Sequence, residues 1–379
     1  MNYLYTLLAM ISSMLLAIVI IPKLLVIATE RKLFDLPDDR KTHNHPVPRI
    51  GGVSFFPCIL FSMLLIIGLS AEYSPDNQML ADCSGFSLFF CGLTLLYLCG
   101  VKDDIVGLSY RYKFIVQILV SLIIVSSGIY INDLYGFMGI NALAPYIGIP
   151  LTIGAIILII NAINLIDGID GLASGLSLFA LGVYGSLFIL DNQWIYAAIA
   201  FSTVGVLIPF FFYNVYGSVQ RQRKIFMGDS GSLSLGLILA FLAIRYACNT
   251  GSTSINIETV LVVAFSPILL PILDVMRVIF YRIKNKKHLF KPDQNHIHHK
   301  LLNMGLTKSI SLVVIMFYNV CICMMNFFII RYVNVMIVFS LDVVIWILAN
   351  MLISRIIRQK LPRQTVAKNH NSVVAYSNL

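Results

Sequence analysis

Runs of about 20 apolar residues, each long enough to cross the ~30 Å of hydrocarbon in a bilayer, recur eleven times, at 3–27, 50–70, 85–101, 111–130, 145–163, 171–190, 193–213, 231–248, 258–281, 309–330 and 335–357. In lipid the backbone must satisfy its own hydrogen bonds, so such runs are read as helices. Charged residues make up only 12% of the chain against 58% hydrophobic, where a soluble domain carries roughly a quarter charged. The expectation is an all-α, polytopic integral membrane protein with about 11 transmembrane helices. Its transmembrane domain spans 1–357, and a polar, basic tail, 358–379, is expected to be disordered. The fifth run is the weakest, because Pro145, Gly148 and Pro150 interrupt its approach.

Basic residues orient the bundle, since positive charge stays on the cytoplasmic side of short loops. With the N-terminus outside and the C-terminus cytoplasmic, all of the 27 Lys and Arg residues except Arg245 and Arg331 fall on the inner side. The net charge of +9 is thus chiefly a topology signal, with a second use in drawing anionic substrates to the inner face, and no nucleic-acid partner is expected. Met1-Asn2-Tyr3 carries no basic residue ahead of the first run, so that run reads as a retained span, not a cleaved leader.

On this topology every loop rich in ionisable groups is cytoplasmic. The first holds Lys41, His43, Arg49 and a Pro48-Arg49-Ile50-Gly51-Gly52 turn. The second holds Lys102, Asp103, Asp104 and Lys113; adjacent carboxylates at a helix end suit Mg²⁺, a hard ion that takes oxygen ligands, or else form a solvated loop. The string Asn161, Asn164, Asp167, Asp170 runs in three-residue steps, which drift modestly around a helix, so the first three share roughly one face, and Gly168, Gly171 and Gly175 allow close approach of backbone or ligand. Met227-Gly228-Asp229-Ser230-Gly231-Ser232 precedes an apolar run, as a helix cap or as an acid for a metal beside N–H groups facing a phosphate. His296, His298 and His299 invite a zinc reading, but no cysteine lies near them; they fit better as hydrogen-bond donors or cations facing a diphosphate.

These five motifs, in this order and all on one face, resemble the polyprenyl-phosphate N-acetylhexosamine-1-phosphate transferases (glycosyltransferase family 4) over about residues 20–310. The His-x-His-His loop looks like the branch using UDP-GlcNAc more than the phospho-MurNAc-pentapeptide branch. A relative specific for UDP-GalNAc or a deoxyaminosugar stays open. The resemblance implies a bacterial cytoplasmic (inner) membrane enzyme with its active site on the cytoplasmic face. Its lipid substrate, undecaprenyl phosphate, would attack the β-phosphorus of a UDP-sugar, with Mg²⁺, or Mn²⁺ in its place, as cofactor, and a homodimer is compatible with it. By position, Asp103 would orient or deprotonate the lipid phosphate. Asp104 and Asp229 would hold the metal, with Asp103 beside them. Asp167, Asp170 and Asn164 would belong to the nucleotide side with Asn161 and Asn214. His296, His298 and His299 would grip the diphosphate, and Lys41, His43, Arg49 and Lys113 would bind substrate. A phosphate monoester is largely a dianion at pH 7, so no strong base is needed, and direct displacement is expected over an aspartyl-phosphate. A transporter would place its acids near the midplane and often shows inverted repeats; a scaffold would tolerate loss of Asp104 and Asp229.

Overall fold

The computed structural model describes residues 1–35, 46–73, 83–248, 257–288 and 295–376, from 360 onward as backbone alone. It is almost wholly helical. The described helices are α1 (Asn2–Glu30), α2 (Phe55–Tyr73), α3 (Cys83–Val106), α4 (Tyr110–Val125), α5 (Pro145–Ile166), α6 (Leu172–Leu190), α7 (Trp194–Val215), α8 (Gly228–Ala247), α9 (Val260–Phe265), α10 (Leu269–Lys284), α11 (Ile297–Asn303), α12 (Lys308–Ile329) and α13 (Val335–Tyr376). A two-residue ribbon, β1 (Phe34–Asp35) against β2 (Val47–Pro48), is antiparallel.

Among the described residues, ten helical segments are long and apolar enough to cross a membrane, and they stand where the sequence places them. At the eleventh place, 111–130, α4 is helical over only 16 residues. At 1.5 Å per residue it is about 24 Å long, short of the ~30 Å core. The reason lies at its end, where the hydroxyls of Ser126 and Ser127 bond back to the carbonyls of Ile123 and Ile124 and compete with continuation of the ladder. The weak fifth run is a continuous helix, with Pro145 in its first turn, where a missing N–H costs nothing, and Pro150 carried inside it. The run 258–281 is broken in two by a 3₁₀ turn at Ser266–Ile268, around Pro267. The freed backbone there finds partners inside the bundle: Tyr184 donates to the Ala264 carbonyl at 2.7 Å and Asn319 to that of Pro267 at 3.3 Å, as a break at membrane depth requires. At the C-terminus, α13 keeps a helical backbone as far as Tyr376.

The centre of the bundle is α8. All of its residues except Arg245 are buried, and α3 and α5 pack along it. Small residues permit this closeness, since helix association in lipid rests on packing more than on a hydrophobic drive. A Cβ on Gly100 of α3 would lie 2.5 Å from the Ser230 Cα, and one on Gly52 would lie 2.0 Å from the Gly231 nitrogen. The extended segment before α8 is laced to the Pro48–Gly52 turn by backbone bonds: Phe226 N to Pro48 O at 2.8 Å, Gly51 N to Phe226 O at 2.9 Å and Gly52 N to Met227 O at 2.8 Å. A second close seam joins α1 to α7, with Ala9, Ser13 and Ala17 at four-residue spacing on the buried face. The outcome is that the C-terminal ends of α3, α5 and α7 and the N-terminal ends of α4, α6 and α8 meet at one end of the bundle.

Gly100→Ala is expected to destabilise the detergent-solubilised protein by about 1–3 kcal/mol through overpacking against α8 backbone. Gly68→Ala, where nothing among the described residues lies within 4 Å of the new Cβ, should be neutral or stabilising by up to about 1 kcal/mol from helix propensity. Unfolding midpoints of the two variants check this.

Candidate active site

Where those helix ends converge, three carboxylates gather. Asp103, Asp104 and Asp229 each offer an oxygen within 4.8 Å of the others. The adjacent pair at the end of α3 divides its work, as the ~100° step between neighbours on a helix demands. Asp104 turns into the protein and caps α8, its Oδ1 accepting the Asp229 N–H at 2.7 Å and its Oδ2 the Ser230 N–H at 2.9 Å. The sequence allows a cap or a metal acid at Gly228–Ser232; the cap is supplied from α3. Asp103 accepts the Leu108 N–H at 2.7 Å, which closes the turn into α4.

Burying three carboxylates together requires positive charge. Arg49, carried in by the Pro48–Gly52 turn, donates to Asp229 Oδ1 and lies 3.6 Å from Asp104. Lys113, one turn into α4, bridges Asp229 at 2.5 Å and Asp103 at 3.1 Å. Burial works against the Arg49 charge, but Asp229 and Asp104 outweigh it and hold the guanidinium above its ordinary value. Both cations thus sit on the acids. The donor set is all hard oxygen, and a carboxylate oxygen has more than one lone pair, so Asp104 can cap α8 and still ligate. The three residues fit an octahedral, oxygen-seeking ion such as Mg²⁺.

Beside the acids opens a cavity of about 330 Å³ lined by Arg49, Asn164, Asp167, Asp170, Asp229 and His299, among others. Asn164 reaches across to Ser232 Oγ at 2.8 Å. Asp170 is paired to Lys224 at 2.8 Å. Burial pushes the Asp167 carboxyl up to about 7, opposed by Arg49 and reinforced by Asp170 and Asp229. Asn214 also lines the cavity, but its amide is committed on both sides, accepting the Gly171 N–H at 2.6 Å and donating to the Ile225 carbonyl at 2.8 Å. It clamps the α5–α6 turn to the segment before α8. Asn161 stands apart from the cavity, its amide donating to Gln117 Oε1 and the Ile157 carbonyl, each at 2.8 Å. Lys41 and His43 lie outside the described residues.

The histidine loop closes over the Asn164–Asp170 turn. The His298 ring fills the place a side chain at 168 would take, its Nε2 2.0 Å from where a Cβ on Gly168 would stand. Burial pushes His298 down to about 3, so this ring is a neutral imidazole, a donor but not a cation. Among the described residues neither of its nitrogens has a partner, and His296 Nε2 and Arg277 Nε are likewise buried and unpartnered. Buried polar groups are nearly always bonded, so this row of nitrogens is suited to an anion. His296 Nδ1 is held by Asp274 at 2.8 Å. Asp274 and Arg277, in the middle of the apolar run 258–281, are site-forming residues that the loop motifs do not point to. The available signal is the presence of ionisable groups inside a span, which are costly in lipid and serve a function.

A family model described as glycosyl transferase family 4 matches residues 86–247. The chain is 31% identical over 315 residues to the probable undecaprenyl-phosphate N-acetylglucosaminyl 1-phosphate transferase of Bacillus subtilis (strain 168), covering 81% of this chain and 80% of the relative. It is 30% identical over 292 residues to the undecaprenyl-phosphate alpha-N-acetylglucosaminyl 1-phosphate transferase of Yersinia pestis, covering 76% and 74%. With the like-named protein of Escherichia coli (strain K12) the identity is 28% over the same length.

The Asp167 shift has a signed consequence. A carboxyl at about 7 when folded and near 3.9 when unfolded makes the native state bind the extra proton, so its contribution to stability is present below about 4 and is lost as pH rises to about 7. Asp167→Asn should therefore raise the unfolding midpoint relative to wild type more at pH 8 than at pH 5, measured in one detergent across both buffers.

Proposed function

The chain belongs to glycosyl transferase family 4, and from that membership together with the site we propose that it transfers N-acetylglucosamine 1-phosphate from UDP-GlcNAc to undecaprenyl phosphate. UMP leaves, and the product is the first lipid-linked intermediate of a cell-surface polysaccharide. The observation that carries this reading is the three-carboxylate cluster opening directly onto a polar cavity at one end of a membrane bundle. Bacterial relatives of the same name support the substrate pair, and the distribution of Lys and Arg supports a cytoplasmic active face in the bacterial inner membrane.

Both reactants are anionic, so catalysis needs in-line placement and charge stabilisation more than covalent chemistry. An oxygen of the lipid phosphate attacks the β-phosphorus of the UDP-sugar as the bridging bond to the α-phosphate breaks, and UMP carries off the electron pair. The attacking phosphate is already mostly a dianion, so Asp103 serves to place it, with Lys113 offsetting its charge. Mg²⁺, or Mn²⁺ in its place, would be held by Asp103, Asp104 and Asp229 and would supply neutralisation of the diphosphate. Arg49 and Lys113, which rest on these acids, are the cations positioned to turn to phosphate oxygens. Asn164, Asp167 and Asp170 form the wall for the nucleotide, and the nitrogens of His296, His298 and His299 face the diphosphate from the other side.

Purified protein given undecaprenyl phosphate and a panel of UDP-sugars should release UMP from UDP-GlcNAc, stop when EDTA is added and resume with Mg²⁺. Asp229→Asn should cost about 100-fold or more in kcat. UMP from none of the sugars would overturn the reading.

A further inference from the structure

We propose that Asp274 is the positioning residue of His296, fixing which nitrogen of that ring faces the site, with Arg277 holding Asp274 in turn. This rests on the transferase reading above.

Asp274 is fully buried on α10, one turn from Arg277 on the same face. Three donors converge on it. His296 Nδ1 meets Oδ2 at 2.8 Å, while the Ile297 N–H reaches Oδ1 at 3.1 Å and Arg277 Nη2 reaches Oδ1 at 2.8 Å. Arg277 also donates to the Asn295 carbonyl. The segment 295–297 is thus latched to α10 by one side chain and two backbone groups, which sets both its position and its rotation.

The chemistry of the latch fixes the imidazole. An ionised carboxylate accepts and never donates, so the nitrogen 2.8 Å from Oδ2 must carry a proton. That assigns Nδ1–H and leaves Nε2, buried and without a partner among the described residues, as the nitrogen left for a ligand. For Nε2 to donate to a phosphate oxygen it must also be protonated, and the positive ring so formed is offset by Asp274 on its far side. An Asn at 274 cannot reproduce this. With its NH₂ turned to His296, that ring loses its bond or changes tautomer; with its oxygen turned to His296, the NH₂ meets the Ile297 N–H and Arg277, and the latch that sets the rotation of the segment is lost. Orientation of a functional imidazole by a carboxylate is a recurrent arrangement, and its removal typically costs about 10- to 100-fold.

Wild type, Asp274→Asn, Asp274→Glu, His296→Gln and the double variants are to be assayed by UMP release from UDP-GlcNAc, with unfolding midpoints alongside. Asp274→Asn is expected to lower kcat about 10- to 100-fold with KM little changed, Asp274→Glu to recover part of the loss, and either 274 change to cost nothing further in the His296→Gln background. Wild-type kcat in Asp274→Asn, or losses at 274 and 296 that multiply, would overturn the proposal. If Asp274→Asn fails to fold, the cycle of Asp274→Glu with His296→Gln makes the same test. An inactive wild type would instead count against the transferase reading.

Discussion

Everything at the reactive end of this bundle hangs on one helix terminus. The first N–H groups of α8 have no partner within their own helix, and they are buried. Asp104 satisfies two of them from another helix, in the position where negative charge is favoured by the helix dipole. The same contact fixes the end of α3 against the start of α8 and so places Asp103 and Asp229 on either side. Once those acids are together, Arg49 and Lys113 must be near, because an unpaired buried charge is far costlier than a paired one. The Pro48–Gly52 turn and the first turn of α4 follow from that requirement. A single capping interaction therefore determines where four separate segments of the chain meet.

Most of the architecture was readable in the chain because a lipid solvent imposes one rule on every span. Where the reading fell short, local competition decided. Ser126 and Ser127 end α4 early, and Pro267 splits a span that hydropathy shows as continuous. At the site, the carboxylate cluster could be read because each acid stands beside a loop signal. Asn161 could not be separated from Asn164 by spacing alone. A three-residue step turns a helix by about 300° and climbs about 4.5 Å, which is enough to leave one amide inside the bundle with Gln117 while the other reaches Ser232. Asp274 was hidden for the opposite reason, since a lone acid inside a long apolar run leaves the run's hydropathy nearly unchanged.

The two walls of the cavity differ in how they are held. The acid side is tied by ion pairs and caps between buried groups. The histidine side rests on α10, which follows the break at Pro267, and it meets the opposite wall closely, the His298 ring lying where Gly168 has no side chain.

That steric contact ties the history of two distant positions together. A methyl at 168 and an imidazole at 298 cannot share the same space, so neither site can drift alone. Across related sequences the pair should change in concert, glycine persisting wherever the ring persists, and a lineage that shortens residue 298 is released to place a side chain at 168. Covariation between these positions would be the evolutionary trace of one loop closing over another.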